Sequence, residues 1–237
     1  MIGSASLLIS STQDSVAVII NLPRWQVAES GLERKLGIYG KCPHRLAGTR
    51  QLKHLLVNSN FRRFYQRLSR RLCSELGITR DLLRHHRLPH HSETPYLERV
   101  DPSAARTIFL HPRVCAATRL LCASALKDGL SLEIISGYRS YSRQAELIKA
   151  KLQTGLKIGQ VLAISAAPGH SEHHSGRAID FNQTGESPLI EDFARTESFT
   201  WLCTNAEQFG FVLSYPENNA NNIAFEPWHW LFTGNKN

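Results

Sequence analysis

The stretch PGHSEHHSGRAIDF, Pro168 to Phe181, holds three histidines and an aspartate at spacings that suit a metal site. A catalytic zinc usually has three protein ligands, often histidines with a carboxylate, and keeps a fourth position for water. His173 and Asp180 lie seven residues apart, and Gly176 between them permits a tight reversal of the chain. This spacing predicts that a loop histidine and a carboxylate on the next strand converge on one ion.

A third ligand must come from elsewhere, and the stretch EPWHW, Glu226 to Trp230, offers His229. Glu226 lies three residues before it and is a candidate general base, which would take a proton from attacking water and return it to a leaving amine. Positions i and i+3 of a strand face opposite ways, so Pro227 would have to mark a bend. The alternative is a buried structural histidine between Trp228 and Trp230.

Arg139 lies in the stretch SGYRSYSRQ, just after a predicted strand, where a loop can direct its side chain into a cleft. Arginine presents a rigid fork of N–H donors that suits a carboxylate or a developing oxyanion. Arg139 is therefore a candidate for substrate binding.

The sequence patterns that predict helices and strands, which must position these residues, are clear from about residue 100 onward. Helical patterns cover HPRVCAATRLLCASALKDG, SYSRQAELIKAKLQTG and TESFTWLCTNAEQFG, and strand patterns cover LSLEIISGY, RAIDF, FVLSYP and FEPWHWLF. Ser140 or Ser142 is a plausible N-cap for the second of these helices. The irregular alternation and the short strands favour an α+β fold, with a small antiparallel sheet flanked by helices.

Charge divides the chain near residue 87. Residues 1–87 hold 15 Lys and Arg against 5 Asp and Glu, whereas residues 88–237 hold 13 against 15. We therefore predict a basic N-terminal extension or helical subdomain over 1–87 and a functional domain over 88–237. The basic segment could attract nucleic acid, anionic lipid or an anionic wall polymer, or its arginines could form the solvated face of a scaffold helix.

The clearest N-terminal pattern is an amphipathic helix over NFRRFYQRLSRRLCSELG, with Asn60 as N-cap and Gly77 at its end. The loop HHRLPHHSETP follows; its histidines have no carboxylate or cysteine at a ligand spacing, so no site is assigned to them. The five cysteines are odd in number and form no CxxC pair, which favours free thiols over a disulfide framework.

The three stretches SGYRS, SEHHSGRAID and EPWH, in this order, resemble the signature of the zinc D-alanyl-D-alanine carboxypeptidases of the VanY type. Every fixed position of the pattern Ser-x-His-x-x-Gly-x-Ala-x-Asp is filled, by Ser171, His173, Gly176, Ala178 and Asp180. The resemblance covers roughly residues 100–237. It implies a Zn²⁺ ion in a cleft on the sheet, held by His173, Asp180 and His229, with His170 and His174 at positions that the pattern leaves free.

The resemblance also implies the roles of the remaining residues. Glu226 would be the base, and Arg139 would bind the substrate carboxylate or the oxyanion. Gln144, Ser171 and Trp228 would be further substrate contacts, and His174 would either support the site from outside or be a tolerated neighbour. The implied reaction is the removal of the terminal D-Ala from a peptidoglycan stem peptide or muropeptide.

Other functions are alternatives to this one. An L-alanyl-D-glutamate endopeptidase would keep similar motifs, and a non-catalytic zinc module would not need Glu226. A nucleic-acid partner is not expected, because only the basic N-terminal third supports one. The protein is expected to be a monomer, and its basic segment could contact an anionic surface.

The resemblance implies work in the cell envelope or periplasm, yet no secretory signal is visible in the opening residues. Three explanations stay open. The natural start could lie elsewhere, export could follow another route, or the substrate could be recycled muropeptide in the cytoplasm.

Overall fold

The computed structural model describes residues 8–12, 15–19, 59–101 and 107–234, and it divides the chain into two compact units, Met1–Asn58 and Ser59–Asn237. In the first unit, strands β1 (Leu8–Thr12) and β2 (Ser15–Ile19) pair in antiparallel fashion. The second unit contains every residue that the sequence predicts for the metal site.

Helices and strands alternate irregularly in the second unit. The helices are α1 (Ser59–Glu75), α2 (Arg80–His86), α3 (Pro112–Lys127), α4 (Tyr141–Gln153), α5 (Ile158–Ala163) and α6 (Glu197–Asn205). The strands are β3 (Glu98–Arg99), β4 (Phe109–Leu110), β5 (Leu132–Ser136), β6 (Ala178–Gln183), β7 (Phe211–Leu213) and β8 (His229–Phe232). Short 3₁₀ helices span Glu172–Ser175, Glu191–Arg195 and Ala206–Phe209.

Side-chain caps explain where several helices begin. The hydroxyl of Ser140 accepts a hydrogen bond from the backbone N–H of Arg143 at the start of α4, so Ser140 is the cap of the two predicted candidates, Ser140 and Ser142. Thr79 caps the start of α2 in the same way. This helix runs to His86 and so includes the first two residues of the stretch predicted to be a loop. Helix α1 begins at Ser59, one residue before the predicted cap Asn60.

The sheet that carries the site is antiparallel throughout, in the order β5–β6–β8–β7. Side chains alternate between its two faces, and Ile179 and Phe181 of the central strand β6 belong to the main core. Asp180 between them therefore points to the opposite face. The predicted α+β fold with a small antiparallel sheet and flanking helices is confirmed.

Two apolar clusters stabilise this unit. The main core joins the sheet to α3 and α6 through buried residues such as Leu121, Phe181 and Leu202. The second cluster joins α1 and α2 to α4 and α5, with Cys73, Ile148 and Val161 buried. The basic helix α1 thus packs one face inward, and the arginines of its other face are exposed; these are Arg62, Arg63, Arg67, Arg70 and Arg71.

The last predicted strand is shorter than expected. The pattern FEPWHWLF predicts a continuous strand, but β8 begins only at His229. Pro227 cannot donate to a strand ladder, and the N–H of His229 instead donates to the carbonyl oxygen of Glu226 at 3.0 Å, closing a turn around Pro227. This turn is the bend that the spacing of Glu226 and His229 requires.

The predicted free thiols can be compared with the structure. Cys73, Cys115, Cys122 and Cys203 are free thiols, and Cys42 lies outside the described residues. Among the described helices, none combines the length and the apolar character needed to cross a bilayer. The predicted division between 1–87 and 88–237 stays a prediction.

Candidate metal centre and active site

The register of the sheet brings two of the predicted ligands together. Asp180 of β6 pairs directly with His229 of β8 on one side and with Ser136 of β5 on the other. Directly paired residues in antiparallel strands have their side chains close together on one face. Asp180 Oδ1 consequently lies 3.0 Å from His229 Nδ1, although 49 positions separate the two residues in the chain.

The third predicted ligand comes from the 3₁₀ helix before β6. His173 lies in this helix, and Gly176 ends it with a left-handed φ of 67°. A Cβ atom at Gly176 would lie 2.9 Å from a Thr94 methyl carbon and 3.1 Å from the His111 nitrogen, so glycine suits both the backbone and the space. The reversal predicted at Gly176 returns the chain into β6 and leaves His173 Nε2 3.3 Å from Asp180 Oδ2.

The three side chains fit a zinc ion. One ligand atom from each of His173, Asp180 and His229 lies within 4.8 Å of the other two, and all three residues are buried. In a tetrahedral zinc site with bonds of about 2.0–2.1 Å, neighbouring ligand atoms lie roughly 3.3–3.4 Å apart. The contacts of the two histidines with Asp180, 3.0 Å to Oδ1 and 3.3 Å to Oδ2, are close to that separation. Two imidazoles and one carboxylate also form a donor set typical of catalytic zinc.

Each of the two histidines makes a further hydrogen bond, through a ring nitrogen, that orients its ring. His173 Nδ1 lies 2.6 Å from the carbonyl oxygen of Gly137, so Nδ1–H donates to it and Nε2 is left for the metal. Burial disfavours the imidazolium form of His229, but its hydrogen bonds to Asp180 and Glu172 outweigh burial and raise its pKa to about 10. A metal ion entering the site therefore displaces a proton from His229.

Glu226 lies beside the site without being part of the ligand cluster. Its Oε2 is 3.9 Å from His229 Nδ1, the ring nitrogen that faces Asp180. The Glu226 N–H donates to the Tyr215 carbonyl oxygen, which fixes the turn that carries this carboxylate. Burial, together with the nearby charge of Asp180, raises the pKa of Glu226 to about 7. Such a carboxyl can both accept and release a proton near neutral pH.

Arg139 lies on the other side of Asp180. Its Nη2 is 3.9 Å from Asp180 Oδ2 and donates to Ser136 Oγ at 3.1 Å. Its Nη1 donates to Gln144 Oε1 at 2.9 Å, and Gln144 Nε2 in turn donates to the carbonyl oxygen of Ala166. Gln144, predicted to contact substrate, thus holds the guanidinium in place.

Replacement of Arg139 by lysine tests the need for this fork. Because Arg139 is not part of the ligand cluster, Arg139→Lys should bind zinc normally. Lysine keeps the charge but cannot reproduce two fixed N–H donors. We expect kcat/KM on a peptide with a free C-terminal carboxylate to fall about 10- to 100-fold, the cost of losing a hydrogen bond to a charged group. Steady-state kinetics with that peptide and its C-terminal amide would measure this. Unchanged turnover of the free acid would contradict the assignment.

The sequence left the role of His174 open, and the structure shows it to be a structural link. This residue is fully buried, and its Nε2 accepts a hydrogen bond from the Gly169 N–H. Its Nδ1 therefore carries the proton and donates to the Arg139 carbonyl oxygen at 2.6 Å. His174 thus links the segment that carries His173 to the backbone of Arg139, so it is not merely a tolerated neighbour of the site.

The other predicted residues lie around the centre. Ser171 is buried just before the 3₁₀ helix, and its hydroxyl does not cap that helix. The half-buried ring of Trp228 packs against the main core. His170 lies outside the ligand cluster and bonds through Nδ1 to the Leu88 carbonyl oxygen. The substrate contacts predicted for Ser171 and Trp228 stay predictions.

Sequence reasoning missed the residues that surround His229. Glu172 Oε2 lies 2.9 Å from His229 Nε2, and the Tyr215 ring stacks on the imidazole with centroids 4.9 Å apart. Ser214 Oγ donates to the same Glu172 oxygen at 2.7 Å. Glu172 occupies a variable position of the motif, so only its charge next to a ligand could have drawn attention to it.

Parts of this chain are similar to known proteins. Residues 107–235 match the family model described as VanY: D-alanyl-D-alanine carboxypeptidase. A D-alanyl-D-alanine carboxypeptidase of Enterococcus faecalis is 31% identical over 121 residues, covering 47% of this chain and 43% of the relative. The peptidoglycan L-alanyl-D-glutamate endopeptidase CwlK of Bacillus subtilis is 33% identical over 111 residues, covering 39% of this chain and 64% of CwlK.

The solved structure of the LdcB LD-carboxypeptidase matches with a TM-score of 0.56 and 30% identity, covering 62% of this chain and 72% of LdcB. The chain spans 38 to 48% of the length of the curated carboxypeptidases that it matches. The family model, by contrast, covers more than half of this chain and includes the whole metal centre with Arg139 and Glu226. The chain therefore belongs to the VanY family of D-alanyl-D-alanine carboxypeptidases.

Proposed function

We propose that this protein is a zinc D,D-carboxypeptidase that removes the C-terminal D-Ala from peptidoglycan stem peptides. The observation that carries the proposal is the set of two histidines and an aspartate, flanked by a carboxylate and a guanidinium. Glu226 lies 3.9 Å from His229, and Arg139 lies 3.9 Å from Asp180. A structural zinc site would need neither flanking group.

Arg139 would bind the free carboxylate of the substrate. Its side chain is 20% exposed, so the guanidinium is largely shielded from water and yet accessible from the cleft. Gln144 and Ser136 occupy one N–H on each terminal nitrogen, and the remaining donors of the fork can bind an anion. Low solvent exposure strengthens such a charge-assisted pair.

Glu226 would act as the general base and then as the general acid. It would take a proton from the attacking water and deliver it to the nitrogen of the leaving D-Ala. Zinc, when bound by His173, Asp180 and His229, would polarise the scissile carbonyl and lower the pKa of that water. The turn at Pro227 holds Glu226 beside these ligands and outside their cluster.

The choice of the D-Ala–D-Ala bond rests on the family description and on the Enterococcus relative. A second candidate is the endopeptidase reaction, favoured by the similarity to CwlK, and the similarity to LdcB adds an LD-carboxypeptidase reaction. A carboxylate-binding arginine close to the metal ligands favours cleavage next to a free C-terminus over an internal cut.

Product analysis with defined stem peptides distinguishes these reactions. The zinc-loaded protein would be incubated with a pentapeptide stem ending in D-Ala-D-Ala and with the tetrapeptide ending in one D-Ala, and the products identified by mass spectrometry. We expect loss of one D-Ala from the pentapeptide and a much slower reaction of the tetrapeptide. Preferential loss of D-Ala from the tetrapeptide, or an internal cut, would overturn the D,D assignment.

The proposed substrate implies a function associated with the cell envelope, acting on wall peptides or on muropeptides derived from them. The exposed arginines of α1 offer cationic surface for an anionic polymer or membrane, which stays a prediction. The expected monomeric state also stays a prediction.

A further inference from the structure

The two ring nitrogens of His229 face carboxylates on opposite sides of the imidazole. Nδ1 faces Asp180 at 3.0 Å and Glu226 at 3.9 Å, which is the side of the metal ligands and the base. Nε2 faces Glu172 at 2.9 Å, on the side away from Asp180. A single imidazole cannot ligate a metal through Nδ1 and carry a proton there, so the position of its proton decides whether it can be a ligand.

Glu172 is well placed to determine the position of this proton. Its side chain is only 12% exposed, and Ser214 Oγ donates to the same oxygen that faces His229. Glu172 is also the first residue of the 3₁₀ helix that contains His173. One carboxylate therefore connects the helix of one metal ligand to the ring of another.

We propose that Glu172 is a positioning residue that keeps the proton of His229 on Nε2 and so leaves the Nδ1 lone pair for the metal. The Nε2–H donates to Glu172, and the negative charge of this carboxylate increases the electron density on the imidazole, which strengthens its bond to a metal. Stacking by Tyr215 restrains the ring plane, and the hydrogen bond to Glu172 fixes its rotation within that plane. The inference rests on the zinc site proposed above and is independent of which peptide bond the protein cleaves.

Zinc affinity, measured by competition with a chromogenic chelator, tests this role without any substrate. Loss of an outer hydrogen-bond partner of a ligand typically costs about 10- to 100-fold in metal affinity, so Glu172→Ala should lose about that much. Glu172→Gln keeps an acceptor oxygen without the charge and should lose less. The control is Glu186→Gln, which removes an exposed carboxylate six residues after Asp180 and outside the ligand cluster, and should bind zinc like the unmodified protein.

The tautomer itself can be observed in the unmodified protein. Long-range ¹H–¹⁵N NMR spectra of the zinc-loaded protein should show His229 with its proton on Nε2 and its metal bond on Nδ1. A role limited to packing would leave the zinc affinity of Glu172→Gln equal to that of the unmodified protein, because glutamine keeps the size of the side chain. Loss of the charge should instead lower it.

Two results would overturn the proposal. One is a Glu172→Ala protein that folds, by circular dichroism, and binds zinc as tightly as Glu186→Gln. The other is an NMR spectrum that places the proton of His229 on Nδ1, which remains decisive even if Glu172→Ala fails to fold. Failure of the peptidase proposal would instead appear as normal zinc binding, with no cleavage of any stem peptide.

Discussion

Glu226→Gln should abolish nearly all cleavage of a D-Ala-D-Ala peptide while the protein folds and binds zinc normally. Glutamine is nearly isosteric, but its amide cannot take a proton from water or return it to the leaving amine. Loss of a positioned general base typically costs about 100- to 10,000-fold in rate. Because Glu226 lies outside the cluster of metal ligands, its replacement leaves all three ligands in place. Turnover, zinc content and peptide binding by calorimetry would be measured on the same preparation.

A matched control is Glu217→Gln, which removes an exposed carboxylate nine residues earlier in the chain and should keep full activity. Peptide binding to Glu226→Gln should survive, because Arg139 supplies the contact to the substrate carboxylate in this mechanism. Near-native turnover of Glu226→Gln would refute the role of Glu226 as base. Loss of zinc from the variant would instead make Glu226 a ligand.

The core of the site could be predicted because its residues are fixed by local spacing. His173 and Asp180 are joined by one short helix and one reversal at Gly176, which needs a left-handed φ that glycine adopts readily. The spacing of Glu226 and His229 required a bend, and the turn at Pro227 provides it. Both features depend on sequence neighbours, so their geometry could be anticipated from residue types alone.

The long-range contacts that join these local features could not be predicted from residue spacing. The pairing of Asp180 with His229 depends on the register between β6 and β8, which forms only when the sheet assembles. Glu172 and His174 occupy variable positions of the motif, and their roles depend on contacts with Ser214, His229 and the Arg139 backbone. No periodicity in the sequence records such contacts.

The basic helix α1 illustrates the same difference. Its amphipathic pattern predicts an apolar face and a cationic face, and the structure shows both. The partner of the apolar face could not be predicted, because the contact with α4 and α5 joins segments that lie far apart in the chain. Ser69 of α1 also donates a hydrogen bond to the carbonyl oxygen of Pro168, five residues before His173 in the chain.

His173→Ala should lose the metal, whereas His170→Ala should keep it. The protein is expected to hold about one zinc per chain, the stoichiometry of a mononuclear site. Removal of a direct ligand leaves only Asp180 and His229 to hold the metal. The loss of zinc affinity should exceed the factor of about 10 to 100 that is typical when an outer hydrogen-bond partner is lost. Zinc per chain would be measured by atomic emission after dialysis against metal-free buffer.

His170 is a suitable control because it lies in the turn three residues before His173, yet its Nδ1 bonds to the Leu88 carbonyl oxygen and not to the ligands. The two variants remove the same side chain from neighbouring positions, so a general effect of losing a histidine would lower zinc content in both. Equal zinc content in His173→Ala and His170→Ala would reject His173 as a ligand. Zinc loss confined to His170→Ala would move the site toward the histidines of the preceding loop, His90 first, since its ring lies 5.8 Å from that of His170. Zinc loss confined to His173→Ala would establish the ligand that the spacing to Asp180 predicts.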